Sequence, residues 1–144
     1  MPVPIEERYK QMFTQLTVAS EFRFKIFAAW GWFYAASAAV FAWMQSNENV
    51  KPFSWVVPLL AFIATILFWL ADFRNRPAIG ASKDAGAAIE ADPMSEIPEQ
   101  QRYFSRLNQG VRYGVIVNIF TIVTLVLLGA ATAYLFCSRG EFPK

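Results

Sequence analysis

Three long stretches of the chain carry almost no polar residue, and polar segments separate them. The first is FKIFAAWGWFYAASAAVFAWMQ (24–45), the second FSWVVPLLAFIATILFWLA (53–71) and the third YGVIVNIFTIVTLVLLGAATAYLF (113–136). Roughly 20 consecutive apolar residues are enough to cross the hydrocarbon core of a bilayer. Backbone groups in lipid must find their partners within the segment, so each stretch is expected to be a transmembrane α-helix. Pro58 falls in the first turns of the second stretch, where its missing N–H costs little. Helices of a soluble bundle would show a polar face at every third or fourth position, and the second and third stretches show none. Ala36, Ser37 and Ala38 resemble a signal-peptidase site. A polar, partly acidic segment of more than twenty residues precedes that run, however, which fits an uncleaved anchor better than a short basic leader.

The polar segments have patterns of their own. In 1–23, Ile5, Tyr9, Met12, Leu16 and Ala19 recur at helical spacing, and Pro4, Glu6 and Glu7 suit a helix start. Such an amphipathic helix has two uses open to it: lying in the membrane interface, or packing on other helices. Segment 72–112 is too long for a bare loop and is broken at ADPMSEIPE (91–99). Before the break, Ala81, Ala85 and Ala88 share one helical face, with Gly80 and Gly86 weakening the helix. After it, Pro98 and Glu99 open a second helix with Tyr103, Leu107, Gly110 and Val111 on one face, leading toward the third span.

The fold expected is therefore an all-α membrane protein. Three transmembrane helices are joined by an external hairpin (46–52) and a cytoplasmic helical cap (72–112), with an N-terminal amphipathic helix and an external tail (137–144). Lys and Arg set the orientation. Ten lie in the N-terminal segment and the second connection, and three in the first connection and the C-terminal segment. The N-terminus and the cap are thus expected in the cytoplasm of a bacterium, with the spans in its inner membrane. Trp43 and Trp55 at the hairpin, Trp69, Tyr113 and Tyr134 fit the two interfaces, while Trp30 and Trp32 lie deeper and are expected to pack between helices.

Composition narrows the chemistry. Only 17% of the 144 residues are charged, against about 25% in soluble domains, and the mean hydropathy is +0.31. A net charge of +2 is too small for a nucleic-acid surface. Histidine is absent and Cys137 is the single cysteine. That removes the usual zinc, haem and non-haem iron ligands and the Ser-His-Asp and Cys-His catalytic arrangements. No glycine-rich phosphate loop, GxSxG or HExxH occurs. No catalytic residue, cofactor or metal is expected. Asp84, Glu90, Asp92, Glu96 and Glu99 fit no calcium loop and read as a solvated face.

Two features remain as candidate sites. Asp72 closes the second apolar stretch, followed by Arg74 and Arg76. The three are expected to anchor that end at the cytoplasmic face, with Asp72 and Arg76 placed to pair at i, i+4. A proton relay would need ionisable partners inside the spans, and there are none. The second feature is a pair of small-residue faces. One runs through Gly110, Gly114, Asn118, Thr121, Leu125, Gly129 and Thr132, the other through Ala28, Gly31, Ala35, Ala38 and Ala42. Small and hydrogen-bonding residues are what membrane helices use for close approach. Both readings of these faces stay open: packing within one chain, or self-association with a pore lined by Asn118, Thr121 and Thr132.

LFWLADFRNR (67–76) followed by a helix ending in AIE (88–90) resembles a pattern in small, uncharacterised bacterial multi-span inner-membrane proteins. In these, a span ends in aromatic–Leu–Asp–x–Arg and leads into an amphipathic helix; here Ala71 stands in place of the Leu before Asp72. Some proteins of that kind are defence-associated membrane effectors. The resemblance implies a pore-forming or membrane-perturbing component. The function expected is a non-enzymatic membrane protein whose partners are the lipid bilayer and further copies of itself. The alternative is an accessory subunit of a larger membrane complex.

Overall fold

In the computed structural model, residues 4–93, 97, 102–107 and 113–138 are described. Among them are four α-helices, one short 3-10 turn and no strand. Helix α1 is Ile5–Gln45, α2 is Val56–Ala91, α3 is Tyr103–Leu107 and α4 is Tyr113–Cys137. α1, α2 and α4 are each long and apolar enough to cross a membrane. At 1.5 Å per residue, the 41 residues of α1 reach about 60 Å, roughly twice the ~30 Å hydrocarbon thickness. The amphipathic segment and the first apolar stretch are thus consecutive parts of one helix.

Local chemistry explains these limits. The N–H groups of Glu7 and Arg8 both bond to the carbonyl of Pro4, and Glu6 and Glu7 occupy the positive first turn of α1. No proline interrupts residues 5–45. The helix ends where the Asn47 side chain accepts from the Asn49 N–H (3.2 Å) in a side-chain-closed turn, and Pro52 enters the 3-10 turn at Lys51–Phe53. Pro77 lies inside α2, where it removes one backbone hydrogen bond, a defect of about 3 kcal/mol in a free helix. The helix persists because the residues on either side are held by packing: Asp72, Ser82, Gly86 and Glu90 are all buried.

The chain divides into two compact units. Unit 1 comprises Met1–Lys25 and Asp72–Tyr113; unit 2 comprises Ile26–Ala71 and Gly114–Lys144. In unit 1, the first part of α1 packs on the last part of α2, and α3 seats on both. Leu16 and Phe104 are its buried apolar residues. Of the two uses open to the amphipathic helix, the structure shows helix packing. The buried row of α2 is Asp72–Ser82–Gly86–Glu90, while Ala81 and Ala88 are exposed. The glycine and the hydrogen-bonding side chains admit α3, while Ala81 and Ala88 face outward and Ala85 is half-buried.

Unit 2 is built around Trp30, which is only 5% exposed. Its ring stacks on Phe68 (6.3 Å between centroids) and meets Phe120 edge-on (5.7 Å). Ile26, Ser54, Ala61, Thr65, Val117 and Thr121 are buried with it. Most of the remaining surface is apolar: on α4 alone Ile119, Phe120, Ile122, Val126 and Leu127 are more than half exposed. Trp32 is 78% exposed, which corrects the expectation that it packs between helices of this chain.

Candidate functional site

Two carboxylates of unit 1, Asp72 and Glu90, are buried, and each gathers a cluster of donors. In the first, Asp72 is 1% exposed. Arg76, one turn on, donates from Nε to Oδ2 (2.8 Å), and its Nη2 lies 2.8 Å from the same oxygen. From α1, Arg23 places Nε 2.6 Å from Oδ1 and donates from Nη2 to Oδ2 (3.2 Å). The expected i, i+4 pair is present. Asp72 is covered as well by a second arginine, from the facing helix, which was not expected from the sequence. Arg74 is exposed. One turn further, the Asn75 amide donates to the carbonyl of Ala19 (2.8 Å).

The second cluster centres on Glu90, which is fully buried. The Tyr9 hydroxyl and the Phe104 N–H donate to Oε1, each at 2.8 Å. The Ser105 N–H (2.8 Å) and hydroxyl (2.6 Å) donate to Oε2. Glu90 thus caps the open N–H groups of α3 from a different helix. The solvated role expected for it is corrected: four donors replace the water it loses. Burial pushes the Glu90 pKa upward, but the Ser105 hydroxyl, the Phe104 and Ser105 N–H groups and Tyr9 outweigh it and hold the carboxyl below its ordinary value. Tyr9 shifts the other way, pushed up to about 12, first by burial and then by its bond to the Glu90 carboxylate. A carboxylate held ionised with its acceptor sites filled, beside a phenol held neutral, is scaffolding rather than an acid–base pair.

Phe104 locks this cluster in place. It is wholly buried, meets Tyr9 edge-on (5.3 Å), and lies against Gly86 so closely that a Cβ there would clash with the ring. Of the two glycines in that segment, Gly86 serves close packing, and Gly80 has nothing within 4 Å of an added Cβ.

Unit 2 treats the two small-residue faces differently. On α4, Gly114, Asn118, Gly129 and Thr132 are half-buried and Thr121 is 1% exposed. Asn118 accepts from the Trp69 indole N–H (3.1 Å), and a Cβ at Gly129 would sit 3.8 Å from Phe62. The Thr121 and Thr132 hydroxyls bond to carbonyls of their own helix, at Val117 and Leu128. This face is partly turned into the unit, with Thr121 buried and the polar groups of Asn118, Thr121 and Thr132 hydrogen-bonded. Gly110 lies outside the described residues. On α1, by contrast, Ala28, Gly31, Ala35, Ala38 and Ala42 are all exposed, and nothing lies within 4 Å of an added Cβ at Gly31. Between the helices, the Tyr34 and Thr65 hydroxyls bond at 2.5 Å.

Sequence reasoning missed Arg23 as the partner of Asp72, and Tyr9 and Ser105 as partners of Glu90. A signal for the first existed. Arg23 and Asp72 are 49 residues apart, and the midpoint of that interval falls on the turn at Asn47 and Glu48, as expected of residues facing each other in a helical hairpin. Among the described residues, no three His, Cys, Asp or Glu side chains gather as a metal site. No protein-family model, curated protein or solved structure matches this chain; its three long apolar helices make it a candidate multi-span membrane protein.

Proposed function

We propose that the chain is a non-enzymatic integral protein of the bacterial inner membrane that self-associates through the small-residue face of α1. Its N-terminus and unit 1 lie in the cytoplasm, and the Asn47–Lys51 turn and the C-terminus lie outside. The observation that carries this reading is the exposure of Ala28, Gly31, Ala35, Ala38 and Ala42 along one stripe. The other small-residue face, on α4, is consumed inside unit 2. A lipid-facing helix gains nothing from a run of small side chains, whereas a second helix approaching it gains close backbone contact. The distribution of Lys and Arg supports the orientation.

Gly31→Leu combined with Ala35→Leu tests the interface without disturbing the fold, since both positions are exposed. Light scattering of the detergent-solubilised chain is expected to give an oligomer for the wild type and a smaller species for the variant. A variant of unchanged mass would rule the face out. Membrane perturbation, suggested by the likeness of LFWLADFRNR to small multi-span membrane proteins of which some are defence-associated effectors, is tested with dye-loaded liposomes. Leakage should appear with the wild type and fall with the same variant.

A second reading, an accessory subunit of a larger membrane complex, is favoured by Trp32. It is 78% exposed in the middle of an apolar stretch, whereas tryptophan at a lipid surface prefers the interfaces. A monomeric chain that co-purifies with other membrane proteins would support this reading over self-association.

A further inference from the structure

The end of unit 2 that carries the turn between α1 and α2 encloses a cavity of about 390 Å³, a volume in the range of small-molecule pockets. Its position follows from the sequence. Gln45 is the last residue of the first apolar stretch, Ser54 the second residue of the next, and Leu135 the last but one of the third. All three line the cavity. The three candidate spans therefore end around it, at the level of the lipid headgroups when they cross a bilayer. Trp55 and Phe136, next in sequence to two of the lining residues, meet edge-on (5.5 Å), and tryptophan favours that boundary.

The polar side chains of the wall are uncommitted. Ser54 is only 4% exposed, yet its hydroxyl forms no hydrogen bond among the described residues. A nearly buried hydroxyl ordinarily has a partner, and the cavity is where this one can find it. Ser138 donates to the carbonyl of Leu135 (3.2 Å), which leaves its oxygen able to accept. Glu48 and Lys51 also line the cavity; both are exposed, and neither forms an ion pair among the described residues. The cavity thus offers one anion, one cation and two hydroxyls, a set that complements a zwitterion.

We infer that it binds the headgroup of phosphatidylethanolamine, with Lys51 and the Ser54 hydroxyl on the phosphate and with Glu48 and the Ser138 oxygen on the ammonium group. The level at which the spans end selects a lipid over a soluble zwitterion, because a headgroup held there keeps its acyl chains against apolar helix. Ethanolamine is selected over choline because its ammonium group can donate to Glu48, and a quaternary ammonium has no N–H. The inference rests on the spans crossing a bilayer and holds for either orientation.

The full chain is reconstituted into nanodiscs of phosphatidylethanolamine, phosphatidylcholine and phosphatidylglycerol in equal parts, and the lipid it retains is identified by native mass spectrometry. Retention of phosphatidylethanolamine above the other two is the expected result. Glu48→Gln and Lys51→Gln alter only exposed side chains. The first should lower retention of phosphatidylethanolamine alone, the second that of all three phospholipids, each roughly two- to fivefold, the range of an exposed ion pair. Ser54→Ala removes one hydroxyl and should lower retention as well. Failure to enter the discs would overturn the membrane reading and this inference with it. Entry with equal retention of the three lipids, or phosphatidylethanolamine retention unchanged in all three variants, would overturn the inference alone. Binding of free phosphoethanolamine by a chain that retains no phosphatidylethanolamine would reassign the cavity to soluble zwitterions and overturn it too.

Discussion

Unit 1 and unit 2 are both helical and share two of their helices, yet they bury opposite things. The interior of unit 1 includes two carboxylates, Asp72 and Glu90, each surrounded by donors from another element. The interior of unit 2 is centred on Trp30 and its aromatic neighbours, and its buried polar side chains are uncharged: Ser54, Thr65 and Thr121, with the Tyr34–Thr65 and Trp69–Asn118 pairs between helices. Their surfaces differ in charge: unit 1 carries most of the chain's charges and unit 2 few, while both expose large apolar side chains, Phe22, Phe24 and Phe73 among those of unit 1. The difference points to two solvents. Where water is outside, helices can present charge outward and fix their register with a few saturated ionic contacts. Where lipid is outside, apolar burial gives no advantage, and register depends on shape and on sparse hydrogen bonds.

If that contrast is right, unit 1 should respond most to loss of its specific contacts. Phe104→Ala empties the site over Gly86 and should cost about 3–5 kcal/mol. The measurement is limited proteolysis near α3, which should become rapid while the Trp-dominated fluorescence of unit 2 is unchanged. Asp72→Asn leaves Arg23 and Arg76 facing each other without their shared anion. Breaking a buried ion pair in this way costs about 3–5 kcal/mol and should lower the thermal midpoint. Replacing all three residues by apolar ones of similar volume should recover most of the loss, because the charges supply specificity more than stability.

Glu90→Gln comes next, at about 1–3 kcal/mol, since two N–H donors and two hydroxyls lose their anionic acceptor. It also carries a pH signature. The folded pKa of Glu90 lies below its ordinary value of 4.5, so its contribution is present above that value and disappears as pH falls through the lower folded value. Protection of α3 from protease in the wild type should weaken in that acid range, and the Glu90→Gln variant should show no such step. Tyr9, pushed up to about 12 from 10.0, acts at the other extreme. Its contribution is intact below pH 10 and is lost between about 10 and 12, and Tyr9→Phe removes that alkaline step. The smallest effect belongs to unit 2. Asn118→Leu breaks the bond from Trp69, and interhelical hydrogen bonds in membranes average only about 0.6 kcal/mol. A large loss there would mean that unit 2 also relies on polar register contacts, and the comparison would fail.

How much of this was legible follows the same division. The three apolar helices could be read directly, because uncharged runs of that length have few alternatives. The α4 stripe was also visible, and its polar members do face inward. Less legible was everything that depends on which residues meet. Glu90 looked like one acid among five, since its burial is set by Phe104 and Ser105, more than ten residues away across a proline-rich break. Ala81, Ala85 and Ala88 made the more obvious stripe on α2, but Gly86 admits an aromatic ring that alanine would exclude. The α1 small face was seen as a pattern. Its exposure is a property of how α2 and α4 choose the other side of Trp30, and no local periodicity encodes that choice.

Cysteine accessibility tests the two-solvent account most directly. Cys137 is the chain's single cysteine, so Cys137→Ser gives a clean background for single cysteines at Asp84, Glu48 and Val123, all exposed in the structure. In intact cells, a membrane-impermeant thiol reagent should label Glu48→Cys at once and Asp84→Cys only after permeabilisation. Val123→Cys should stay unlabelled in both conditions because lipid covers it. Rapid labelling of Val123→Cys, or labelling of the Glu48 and Asp84 positions from the same side, would contradict the account.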